Sequence, residues 1–308
     1  MEIFNCLYKN DEKELQALLL NSSDLDVNLS NDAGLTPLHF AVLLGYVGCV
    51  SILMRDSRTD VNRCDNDMFS APILEASASG NLEIVEMLLN APDIHMNVVD
   101  ILGCSAVFLA CENGHVHIVE RLCSESQVNI NSRNLYGRTP LFTVCSVGDI
   151  AVIDHLLKRS DIDLNAADIY GRTAIHIAIN NIVGNNVIDK LLGRQDLDIN
   201  RADLRGNTPL HTAVKSEIQI YTVNKLLRDR RIDILSKNKK GFTATDLASE
   251  LGYNSIITCF KRQITVRRWA LIFCIAKLVI LKRRMLESYY AYGGKGAIAA
   301  IYRCYNKK

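Results

Sequence analysis

The sequence predicts an all-α fold: a solenoid of stacked helix pairs with short hairpin-like loops, followed by a basic helical segment. Three observations predict it. Similar segments start at residues 34, 69, 103, 137, 171, 206 and 241, so the chain repeats every 34 or 35 residues. Each period holds two apolar stretches of helical length with a break between them. Neither helix of such a pair can bury its apolar face alone, and stacking of neighbours supplies the missing cover.

The first element, residues 1–30, reads as a partial N-terminal repeat. Its stretch EKELQALLL places Leu15, Leu18 and Leu19 on one helix face. The array then spans 31–260, with repeats beginning near 31, 65, 100, 134, 168, 203 and 238. Each first helix opens on a polar cap: Thr36 before Pro37 is a helix start in which the hydroxyl caps free amides and proline has no N–H to leave unpaired. The repeat glycines, such as Gly34 and Gly171, suit a turn that needs positive φ, and Phe69 stands at that position in one copy. Gly45, Gly80, Gly114, Gly148 and Gly252 mark the break between helices. The second helices follow, as in NLEIVEMLLN, with Val85, Leu88 and Leu89 on one face. Each unit closes on an asparagine: Asn28, Asn62, Asn97, Asn131, Asn165 and Asn200. Such a side chain can satisfy loop backbone groups. Leu235 breaks the series. The repeats at Gly171 and Gly206 carry one extra residue between their helices.

The last element, residues 261–308, is a basic apolar tail. It holds twelve basic residues and one acid, Glu287, a net +11, while residues 1–260 hold 23 bases and 33 acids, a net −10. The overall +1 therefore conceals an acidic body and a basic tail. Trp269–Leu281 is apolar over thirteen residues apart from Lys277, short of the roughly 20 that a spanning helix needs. Three readings stay open. In the favoured one, a stripe of Trp269, Ile272, Phe273, Ala276, Val279 and Ile280 covers the last repeat and residues 288–305 fold back over the opposite side. In the second, the tail lies on an anionic membrane surface. In the third, Trp269, Phe273 and Leu278, at 1-5-10 spacing, engage a calmodulin-like protein.

The motif set TPLH at 36–39 and 208–211, TPLF at 139–142 and TAIH at 173–176 resembles the ankyrin repeat family over roughly residues 1–260, as one partial and seven recognisable repeats. The tail resembles no family. The resemblance implies a non-enzymatic scaffold or adaptor that binds another protein through hairpin tips and the concave face of the first helices. Carried over by position, the tip residues are Tyr136, Arg138, Tyr170, Arg172, Arg205 and Asn207, and Tyr and Arg are types enriched in binding hot spots. The resemblance also implies that loop asparagines can be hydroxylated, as in some family members. The alternative function is a membrane-associated or channel-like protein anchored by the tail.

Other chemistry finds little footing. The recurring His39, His176 and His211 read as structural imidazoles bonding between turns, because they recur with the repeat. Cys104, Cys111, His115, His117 and Cys123 have zinc-ligand chemistry but irregular spacing. No GxSxG, HExxH or GxxxxGK[ST] occurs, and GGKG at 293–296 does not open a phosphate-loop helix. No cofactor, metal or small-molecule substrate is expected, and nucleic acid is a weak expectation. Ten cysteines without a CxxC pair, and an N-terminus without a signal-peptide core, point to reduced thiols in a cytoplasmic or nuclear protein, and peripheral membrane association belongs to the second reading of the tail.

Overall fold

The hairpins and helices form where the repeat pattern places them. A computed structural model describes residues 2–181, 185–216 and 220–291, with side chains described except for Asn185, Leu271 and 283–291. Sixteen helices lie in the described residues, and no strand beyond the isolated bridges Val99–Ser105 and Lys237–Thr243. They pair as α1 (Glu2–Tyr8) with α2 (Glu12–Asn21), α3 (Pro37–Leu43) with α4 (Val47–Arg55), and α5 (Pro72–Ser79) with α6 (Leu82–Leu89). The central pairs are α7 (Ala106–Glu112) with α8 (Val116–Ser124), and α9 (Pro140–Val147) with α10 (Ile150–Lys158). Three more follow: α11 (Ala174–Asn180) with α12 (Asn185–Leu192), α13 (Pro209–Lys215) with α14 (Ile220–Arg228), and α15 (Ala244–Glu250) with α16 (Asn254–Ala291). First helices stack on first helices from α1 to α15, and second helices stack likewise from α2 to α12 and again between α14 and α16. One continuous core runs from Ile3 to Phe260.

The N-terminal unit lacks the TPLH segment yet carries both helices. Its α1 covers the first full repeat, with the Phe4 and Tyr8 rings edge-on to Phe40 at 5.8 and 4.9 Å. The extra residues expected between the helices at Gly171 and Gly206 fall on 182–184 and 217–219, outside the described residues.

The TPLH motif works as a paired cap and tie. Thr173 and His176 form a capping box, in which Nδ1 of His176 accepts the Thr173 N–H at 3.2 Å and lies 2.9 Å from the hydroxyl. Its Nε2 reaches the Asn207 carbonyl of the next repeat at 3.2 Å. A carbonyl only accepts, so Nε2 carries the proton and the ring is neutral. His39 and His211 repeat the arrangement toward Ser70 and Phe242. Burial pushes all three imidazoles below their ordinary value.

Two further ties join neighbouring loops. Each closing asparagine spans to the next unit with both ends of its amide: Asn131 donates to the Asp161 carbonyl at 2.7 Å and accepts from the Asp163 N–H at 2.8 Å. Asn28, Asn62, Asn97, Asn165 and Asn200 do the same. Arginines then take the carbonyls at the end of the preceding unit. Arg231 is forked to Asp229 and donates to the Arg194 and Leu192 carbonyls at 2.7 and 2.8 Å.

The covering stripe expected in the tail is not what covers the last repeat. Ile256 and Phe260, in the first turns of α16, are buried, while Trp269, Ile272, Phe273, Val279 and Ile280 are exposed. The reason is length. A 38-residue helix is about 57 Å long, whereas a nine-residue partner such as α14 offers about 13 Å of flank. Docking stops near Arg267, which donates to the Ile232, Leu227 and Asp229 carbonyls. Most of the fold-back segment expected at 288–305, and GGKG at 293–296, lie outside the described residues.

Candidate functional site

The hairpin tips are built around a capping carboxylate or amide at the first position of each repeat. At the tip of 168–172, Asp168 Oδ1 accepts the amide hydrogens of Tyr170 and Arg172 at 2.9 and 2.8 Å. Its Oδ2 accepts Nε and Nη2 of Arg172 at 2.9 and 2.6 Å. At the next tip, Asp203 Oδ1 caps Arg205 and Asn207 at 2.8 and 2.7 Å. Between them Gly171, at φ 75°, completes the turn, and a Cβ there would lie 2.7 Å from the Leu204 nitrogen. Only glycine fits both demands.

Successive tips are stitched into a row. Ile101 N–H donates to the Met68 carbonyl at 2.8 Å, Leu135 to Leu102 at 2.8 Å, Ile169 to Tyr136 at 3.0 Å and Leu204 to Tyr170 at 2.9 Å. The side chains of this row are exposed: Met68, Ile101, Leu102, Leu135, Tyr136, Ile169, Tyr170 and Leu204. Arginines lie over its aromatic members. Arg138 sits 5.3 Å from the Tyr136 ring and 5.7 Å from Phe142, and Arg172 sits 5.0 Å from Tyr170 and 5.9 Å from Phe142.

Of the six tip residues named from sequence, Tyr170, Arg172, Arg205 and Asn207 line one groove of about 400 Å³, shared with Leu204 and Lys215. Tyr136 and Arg138 lie one tip further toward the N-terminus. Tyr136, Tyr170 and Arg205 are exposed, and Arg138 and Arg172 are half-buried. Asn207 differs: it is buried, and its amide donates to Asp203 and accepts from Lys215 and Asn238. It braces the groove floor from inside.

A family model of ankyrin repeats matches residues 3–100, 73–168 and 107–203, three overlapping copies that together span more than half of the chain. The chain belongs to the ankyrin repeat family. Ankyrin repeats are generally protein–protein interaction modules, and a row of exposed tips on a stacked array is the form such a module takes. No curated protein matches the sequence.

Two features of this ankyrin array escaped sequence reasoning. The apolar pairs before the repeat glycines, such as Leu135–Tyr136 and Ile169–Tyr170, form an exposed row. Their signal was the contrast with Asp32–Ala33 and Lys239–Lys240 at the ends of the array. Phe142, at the histidine position of TPLF, shares its ring between two arginines.

The zinc-like set is dispersed into structural roles. Burial pushes the Cys104 thiol up to about 12 and Cys123 up to about 11, Cys111 rises well above its ordinary value, and His115 Nε2 meets the Ala78 carbonyl at 2.9 Å. Among the described residues no group of three or more His, Cys, Asp or Glu is placed to hold a metal ion. Trp269, Phe273 and Leu278 all stand exposed on α16. No helix among the described residues is long and apolar enough to cross a membrane.

Proposed function

We propose that the protein is a non-enzymatic scaffold or adaptor that holds a partner protein across its hairpin tips and the adjoining face of its first helices. The observation that carries this reading is the row of exposed apolar and aromatic side chains from Met68 to Leu204, fixed on a hydrogen-bonded series of tips. Contiguous exposed apolar surface with aromatic and arginine members is characteristic of an interaction site. Affinity purification with mass spectrometry tests it, comparing the wild type with a Leu135→Ser/Tyr136→Ser/Tyr170→Ser variant. These side chains are exposed, so the variant is expected to keep its thermal unfolding midpoint and lose its enriched partners. Equal recovery of the same partners would sink the proposal.

A second reading, membrane association, is favoured by α16. Trp269, Phe273 and Leu278 are each about two-thirds exposed at 67%, 68% and 67%, among cations that include Arg268 and Lys282. Apolar and basic groups together suit the headgroup region of an anionic bilayer. The full chain should then float with phosphatidylserine vesicles, and a Trp269→Ser/Phe273→Ser/Leu278→Ser variant should not. Binding of the same helix to a calmodulin-like protein, with no flotation, would replace the membrane reading.

A further inference from the structure

The tip at 134–138 differs from its neighbour at 168–172 in one atom that matters. Asn134 stands where the neighbour has Asp168. Its Oδ1 does the same capping, accepting the amide hydrogens of Tyr136 and Arg138 at 3.0 Å each. The other terminal atom of Asn134 is an amide nitrogen, a donor, where Asp168 offers the oxygen that neutralises Arg172. Arg138 is therefore left without a carboxylate. Among the described residues its side chain makes no hydrogen bond or ion pair, and its Nε is buried with no partner.

This guanidinium is nonetheless held in place. It lies over the Tyr136 and Phe142 rings, and Phe142 itself stands where His176 is found in the next repeat. A stacked guanidinium with open donors is preorganised for a planar, two-oxygen acceptor and loses little side-chain freedom on pairing. The neighbouring cations are already engaged: Arg172 with Asp168, and Arg133 with the Gly137 and Ala167 carbonyls. Arg138, with its donors unpaired and bordered by the exposed Leu135, Tyr136 and Ile169, matches a single carboxylate flanked by apolar side chains.

We propose that Arg138 is the anchor for an aspartate or glutamate side chain of the partner protein, within a segment whose apolar neighbours lie on Leu135, Tyr136 and Ile169. This deepens the tip-binding reading and rests on it. The test selects a random peptide library against the full-length protein, with counter-selection on the Leu135→Ser/Tyr136→Ser/Tyr170→Ser variant. Affinity of the selected peptides is then measured for wild type, Asn134→Asp and Arg138→Lys. Asn134→Asp is expected to fold, because Asp168 does the same capping one repeat away.

The expected result is enrichment of peptides that carry Asp or Glu beside apolar residues. Asn134→Asp should bind them about tenfold more weakly or worse, because the new internal carboxylate occupies the guanidinium. Arg138→Lys should also weaken binding, because it keeps the charge and loses the fork. Changing the peptide's acid to its amide should remove the effect of Asn134→Asp. Tip-dependent peptides that lack acids, or whose affinity ignores Asn134→Asp, would overturn the Arg138 assignment and leave tip binding standing. Failure to select any tip-dependent peptide would overturn both.

Discussion

His39, His176 and His211 show how much one side chain does when it recurs. Each ring caps its own helix through Nδ1 and ties the next hairpin through Nε2. Both bonds need the neutral ring, since a proton on Nδ1 would face the threonine N–H. The folded pKa values lie below the ordinary 6.5, so the unfolded chain takes up protons first as pH falls. The stabilisation is complete above about pH 6.5 and declines as pH drops toward the folded values, by up to about 1.4 kcal/mol per pH unit for each histidine. Urea unfolding at neutral pH and near pH 5.5 should show the fall. His176→Phe, which copies the chain's own Phe142, should make it shallower. The bonding role of these histidines was legible in the sequence because they recur with the repeat. The inward turn of Asn207 was not, because an asparagine beside a hairpin glycine can face either way until its neighbours Lys215 and Asn238 are placed.

Between elements, loops are held by polar ties as well as by buried apolar side chains such as Ile130, Leu164 and Ile199. Asn131 joins the loop before α9 to the loop before α11 with two bonds of 2.7 and 2.8 Å. Asn131→Ala leaves the Asp161 carbonyl and the Asp163 N–H without that partner, near solvent. The expected loss is about 1–2 kcal/mol, read as a lower urea midpoint with unchanged slope. The series breaks at Leu235, where α16 runs on as helix in place of the next inter-repeat loop. There Arg267, from α16, takes up carbonyls of the unit ending at Asp229, much as Arg231 does one unit earlier. Arg267→Ala should speed amide hydrogen exchange locally around 225–233 while leaving the central repeats protected. The alternation of helices and ties could be read directly from glycine, threonine and asparagine spacing. The point where α16 leaves the body could not, because an apolar helix carries the same sequence signal whether or not a neighbour reaches it.

At the scale of the whole molecule, charge is divided between an acidic array and a basic tail. In the described part of the tail, Arg267 is bonded to carbonyl oxygens beside Asp229 and Asp233, whose carboxyls it helps to hold below their ordinary value, and the apolar part of α16 beyond it is exposed. The −10 of residues 1–260 and the +11 of residues 261–308 favour surroundings of opposite sign. Salt separates the two candidate contacts. Anionic-vesicle flotation should weaken steeply as ionic strength rises, while partner capture on the tips, with one half-buried ion pair among apolar contacts, should weaken much less.

The stitched tips also limit the manner of recognition. In the tip at 134–138, Leu135 N–H goes to the Leu102 carbonyl, Gly137 N–H to the Asn134 carbonyl, and the Tyr136 and Arg138 amides to Asn134 Oδ1. The tip at 168–172 is closed in the same way. No amide donor on these two tips is left for an incoming strand, so the carbonyls of such a strand have nothing there to pair with. The carbonyls of a bound segment are then not what these tips read, and its side chains carry the recognition. Weakening the main-chain carbonyl acceptors of a tip-binding peptide one at a time, by thioamide substitution, should therefore cost little affinity, whereas replacing its apolar or acidic side chains should cost much.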